Sequence, residues 1–190
     1  IHLAWILVLG YMVYPMAKDS SPARLFDLLA MLLVLWSSGR ILRFDYQSIE
    51  HLLNGLQSAD FAAGLVMIIA TLEMARRSVG PVMMWVGLVF LLYAAFGNLL
   101  PDVLATKGFT FERIVRFQVF TGAGLFGAPL GIASGAVFSF VLFGAFLQVT
   151  GAGKFLIDLS FAAAGRYRGG PAKASVVASA AMGSISGSAI

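Results

Sequence analysis

Apolar residues run along this chain in long blocks, with neither the alternation of a strand nor the regular polar face of a water-covered helix. Ile1–Ala17 is apolar apart from His2. Leu25–Ser38 is apolar except for Asp27, and reaches Phe44 if Arg40 and Arg43 extend toward the headgroups. Phe61–Ala75 is broken only by Glu73 near its end, and Val82–Leu100 and Ile132–Val149 carry no charge. A hydrocarbon core of roughly 30 Å takes about 20 residues of helix. The blocks therefore predict five membrane helices and an all-α, polytopic membrane protein.

The connectors carry breaker chemistry. Lys18-Asp19-Ser20-Ser21-Pro22 reads as a turn, and Asp60 stands where an N-cap would open the third helix. Arg76-Arg77 closes that helix, Gly80-Pro81 opens the next, and Pro101-Asp102 ends it. Two segments are neither connectors nor spans. Phe109–Phe120 sets Phe109, Ile114, Phe117 and Phe120 beside Arg113 and Arg116, the pattern of an amphipathic helix lying at the membrane interface. Lys154–Gly165 is too short to span, and Lys154 and Asp158 share one face of it.

Composition agrees with these elements. Hydrophobic residues make up 59% of the 190, and charged residues 12%, about half the usual share in a soluble domain. So few solvating groups exclude a cytosolic enzyme, a secreted domain and a disordered chain. The absence of cysteine excludes disulfides, thiolate metal sites and a thiol nucleophile. The net charge is +4, but no basic run is longer than Arg76-Arg77, so the surplus points to loops facing anionic lipid and not to nucleic acid. Connectors after the odd spans hold Lys18, Arg24, Arg76, Arg77, Lys154, Arg166, Arg168 and Lys173; those after the even spans hold Arg40, Arg43, Lys107, Arg113 and Arg116. Eight basic residues against five place the first set in the cytoplasm. The chain opens on Ile1 and stops at Ile190 within a Gly/Ser-rich stretch, so a piece of a longer protein is expected.

Few residues offer reaction chemistry. His2 and His51 are the only histidines and form no ligand pair at helical spacing. Gly183-Ser184-Ile185-Ser186-Gly187 approaches a nucleophile elbow, but the G-x-S-x-G spacing fails at Ser186. Of the carboxylates near the spans, Glu73 is at i, i+3 and i, i+4 from Arg76 and Arg77, which predicts an interfacial ion pair. Asp27 is read as complementing the dipole at its helix start.

The last 25 residues are the most informative. A breaker cluster, Gly165 to Pro171, leads into the small apolar run Ala174–Met182, and then into Gly183-Ser184-Ile185-Ser186-Gly187-Ser188. A helix of about nine residues interrupted by Gly and Ser covers less than half a membrane. Broken backbone at that depth is tolerated where protein buries it or it lines a cavity, and it offers free carbonyls and hydroxyls to a cation. The other reading is a small-residue packing face through Ala174, Ala178 and Met182, or through Ser175 and Ser179. The residues alone leave both open.

Gly169-Gly170-Pro171-Ala172-Lys173, Val176-Val177-Ala178-Ser179 and Gly183 to Ala189 together resemble the first re-entrant hairpin of the tripartite ATP-independent periplasmic (TRAP) transporter permeases, most closely the fused permeases of the TAXI type. Earlier pieces agree in order: Leu72-Glu73 with Arg76-Arg77, Phe90 to Tyr93 with Gly97 and Pro101, Gly124 to Gly127 with Pro129-Leu130-Gly131, and Phe143 to Leu147 with Gly151-Ala152-Gly153. The resemblance implies a sodium-coupled permease of the bacterial or archaeal inner membrane. Such a permease imports a carboxylate solute delivered by a periplasmic TAXI-type binding protein, with Na+ as coupling ion and no organic cofactor. It also implies that Ser186, Gly187 and Ser188 form part of a sodium site, with Ser184 as a substrate-side residue. Residues 1–81 would be small-subunit-like and 82–190 the start of the large, transport subunit, with the opposing hairpin missing. The competing reading is a non-transporting membrane scaffold or assembly subunit, and no enzymatic activity is expected.

Overall fold

The computed structural model describes residues 1–16, 21–44, 55–101, 103–165 and 167–186, the last three of these as backbone alone. The regular structure among the described residues is all helical, without a strand. The helices are α1 (His2–Val13), α2 (Ser21–Leu42), α3 (Ser58–Ser78), α4 (Pro81–Phe96, extended by a 3-10 turn at Gly97–Leu99), α5 (Phe111–Val119), α6 (Ala128–Val149), α7 (Ala152–Ala164) and α8 (Gly170–Ser186). Four of them, α2, α3, α4 with its 3-10 turn, and α6, are long and apolar enough to cross a membrane.

The expected first span is shorter than its apolar block. α1 has 12 residues, about 18 Å, and stops at Val13. The cause is Pro15, whose ring drives the preceding residue out of the α region; Tyr14 has φ −115 and ψ 67. The third helix likewise opens before Asp60. Its N-cap is Gln57, and Asp60 lies inside the first turn. Between α3 and α4 the chain turns sharply at Gly80, φ 122, a backbone region that disfavours side chains. Pro81 follows as the first residue of α4, where its missing N–H and fixed φ suit a helix start.

The chain divides into two compact units, Ile1–Leu130 and Gly131–Ile190. In the first, α1, α2 and α3 pack around Leu7, Val34 and Met67, each essentially without exposure. Gly10 faces the sulfur of Met74, so α1 and α3 approach closely. α4 buries no side chain of its own and lies against α3 where Gly87 meets Leu72. At Gly64 of α3, α5 brings in Val115 and Val119, with Phe120 just beyond its end. The predicted amphipathic helix is thus present, with one face built into the bundle.

The second unit holds most of α6 together with α7 and α8. A π-helical turn, Ala133–Val137, interrupts α6 without ending it. α7 and α8 form an antiparallel pair, with the methyl of Met182 against Gly153.

Candidate functional site

Of the residues predicted for the ion site, Ser186 is the last of α8. Gly169, φ 73, turns the chain into that helix, and Gly170, Ala174 and Ala178 form its buried face, spaced four residues apart. From α7, Gly153 and Ser160 are buried, and Ser160 Oγ donates to the Leu156 carbonyl at 2.8 Å. Small residues on both helices let the backbones come close, which is how helices associate where the surroundings are themselves apolar. Ser175 is exposed and donates to the Pro171 carbonyl at 2.9 Å, and Ser179 is exposed as well. The packing face is therefore the alanine stripe and not the serine one.

The expected interruption at Gly183 is absent. α8 continues through Gly183 and Ser184 to Ser186, 17 residues in all and about 25 Å. The physical reason is a comparison of costs. A glycine inside a helix costs about 1 kcal/mol, whereas an unpaired backbone group in hydrocarbon costs several. Ser184 and Ser186 belong to the last turn of this helix; Gly187 and Ser188 lie outside the described residues. Lys154 and Asp158 are exposed on α7. His51 lies outside the described residues, and His2 is the first residue of α1. No group of three or more His, Asp or Glu side chains gathers among the described residues.

The charged groups of the first unit assemble differently from expectation. Glu73 takes Arg76 in a two-point contact, Nε to Oε2 at 2.8 Å and Nη2 to Oε1 at 2.7 Å, as its spacing predicts. It also accepts Arg77 Nε at 2.7 Å. But Asp27 is seven residues into α2, beyond the helix's first turn, and is buried. It pairs with Arg77 across 50 residues of sequence, Nη1 to Oδ1 at 2.6 Å, while Oδ2 accepts the Met16 N–H at 3.0 Å. The Arg77 guanidinium also donates to the Tyr14 carbonyl and lies 4.8 Å from the ring centroid of Tyr11. At the opposite end of the same two helices, Arg40 donates through Nε and Nη2 to Asp60 Oδ1 at 3.1 and 2.6 Å. The two spans are thus antiparallel and ion-paired at both ends.

That pairing had a trace in the sequence. Asp27 precedes Arg40 in one apolar block, and Asp60 precedes Arg77 in another. Folding the blocks antiparallel sets acid opposite base at each end. These groups hold the bundle together; with Asp27, Asp60 and Glu73 each engaged by an arginine, they offer no open ligand set.

Residues 65–190 match the family model described as "Tripartite ATP-independent periplasmic transporter, DctM component". No curated protein and no solved structure matches the chain. The matched stretch begins within α3 and takes in α4 to α8.

Proposed function

The chain belongs to the DctM component of the tripartite ATP-independent periplasmic transporters, a membrane permease whose family implies a periplasmic solute-binding partner, and from that premise we propose sodium-coupled import of a carboxylate solute. The binding protein is of the TAXI type in this reading, and the membrane is the inner membrane of a bacterium or archaeon. Residues 1–81 correspond to the small subunit and 82–190 to the beginning of the large one.

The observation that carries the proposal is the family match across the whole of the α7–α8 pair. Two features of that pair support it. α7 and α8 are about 20 and 25 Å long, both short of the hydrocarbon thickness, and fold back on each other. Ser186 closes the C-terminal turn of α8, where helix carbonyls carry partial negative charge that favours a cation, and Gly187 and Ser188 come next in the sequence. Neutral oxygens suit an ion that must bind and leave in each cycle, because they hold it without the charge of a buried carboxylate. The scaffold reading draws on the Gly170, Ala174 and Ala178 face, which is committed to packing.

Uptake measured in proteoliposomes with the intact permease and its binding protein tests this. Ser186→Ala and Ser188→Ala are expected to raise the sodium concentration needed for half-maximal uptake. Unchanged sodium dependence in both variants rejects the ion site, and sodium-independent uptake by the unaltered protein rejects the coupling.

A further inference from the structure

The amphipathic helix α5 has a second face, turned away from the bundle. Its inner face is spent on the bundle through Val115, Val119 and Phe120. The outer face borders an open groove of about 420 Å³ lined by Thr110, Glu112, Arg113, Arg116, Phe117 and Thr121. No ion pair among the described residues engages Arg113 or Arg116. Arg113 is held over the Phe109 ring, 5.1 Å from its centroid, and Thr110 caps the helix by accepting the Arg113 N–H. Glu112 reaches the Leu56 N–H at 2.7 Å and so ties its wall of the groove to the start of α3. Two guanidinium groups against one carboxylate leave the groove cationic.

Its depth follows from what α5 touches. Phe120 stacks against Phe44 just beyond the end of α2, with ring centroids 4.5 Å apart. Phe111 meets Phe96 in the last turn of α4, with centroids 6.0 Å apart. The Phe109 N–H donates to the Ala94 carbonyl at 2.9 Å. These helix ends, with the Arg40–Asp60 pair, mark one boundary of the apolar zone. Exposed Phe111 and Phe117 stand there beside the two arginines. Aromatic rings with guanidinium groups at the edge of the hydrocarbon match a lipid whose acyl chains meet the rings and whose phosphate meets the cations.

The geometry points to a binding site for the phosphodiester headgroup of an anionic phospholipid in the α5 groove, held by Arg113 and Arg116 with Thr110 and Thr121 at its ends. The site is independent of the sodium reading. The intact chain in detergent is titrated with phosphatidylglycerol, with phosphatidylcholine and with inorganic phosphate, and bound lipid is read by native mass spectrometry. Phosphatidylglycerol is expected to be retained over phosphatidylcholine. The variant Arg113→Gln/Arg116→Gln is expected to lose roughly tenfold or more of that affinity. Arg43→Gln/Lys107→Gln removes the same charge from exposed positions outside the groove and is expected to leave it within about twofold. Equal retention of the two lipids, an equal loss in both double variants, or displacement of the lipid by millimolar inorganic phosphate overturns the proposal. So does a loss of binding-protein docking in Arg113→Gln/Arg116→Gln with lipid retention unchanged.

Discussion

Asp27 and Arg77, 50 residues apart in the chain, meet at 2.6 Å with side chains only 6% and 5% exposed. A buried pair of this kind contributes little net stability relative to an apolar substitute, because both charges were taken from water. Removing one partner is another matter. Asp27→Asn is expected to cost about 3 kcal/mol, leaving Arg77 with Glu73 as its one carboxylate among the described residues, which Arg76 already shares. Asp27→Leu/Arg77→Met together should recover much of that loss. Thermal unfolding in detergent reads both, and a double variant as unstable as the sum of the singles contradicts the account.

Arg40 gives the contrasting case. Its side chain is 38% exposed, against 6% for Asp60. Solvent screening discounts the pair, so Arg40→Gln should cost roughly 1 kcal/mol or less. The same unfolding assay is expected to rank it well below Asp27→Asn.

Gly64 sets the distance between α3 and α5. A methyl group there meets the Val115 side chain and the Phe120 ring. Gly64→Ala is expected to destabilise by about 1–3 kcal/mol and to displace α5. A double-cysteine distance measurement between α3 and α5 reports the displacement, and an unmoved α5 contradicts it.

On α8, Ala174 is fully buried and its neighbour Ser175 is exposed. Ala174→Leu should therefore disturb the α7–α8 pair by about 1–3 kcal/mol, while Ser175→Leu should be near neutral. Limited proteolysis of the connector at residues 165–169 distinguishes them, with faster cleavage expected for Ala174→Leu alone.

Orientation is open to direct labelling, because the chain has no cysteine of its own. Single cysteines at Arg76 and Arg168 are expected to react with an impermeant maleimide only after the cytoplasmic side is opened. Reaction from the periplasmic side reverses the topology.

Local relationships were legible in the sequence and distant ones were not. Glu73 with Arg76 and Arg77 is a matter of helical spacing, and the structure has it. The long apolar blocks became α2, α3, α4 and α6 because length and hydropathy alone decide such helices. Asp27 was misread because a carboxylate early in an apolar block looks the same whether it serves its own helix or an arginine on another. Asp60 was misread for a related reason: it resembles a cap, yet Gln57 begins the helix and Asp60 turns to Arg40. Gly183 misled in the opposite direction. Glycine breaks helices in water, but a low-polarity setting raises the cost of a free carbonyl and keeps the helix going. Of the candidate site, only the backbone of Ser184 and Ser186 enters the described structure, so their place on a helix end is known and their chemistry rests on family membership.

The double ion-pairing of α2 and α3 has a mechanical meaning. Sliding one helix past the other by a turn, about 5.4 Å, would part Asp27 from Arg77 and Arg40 from Asp60 in the same step, leaving two buried carboxylates without their arginines. The two pairs hold these spans in one register, so shear within the permease is expected across some other surface.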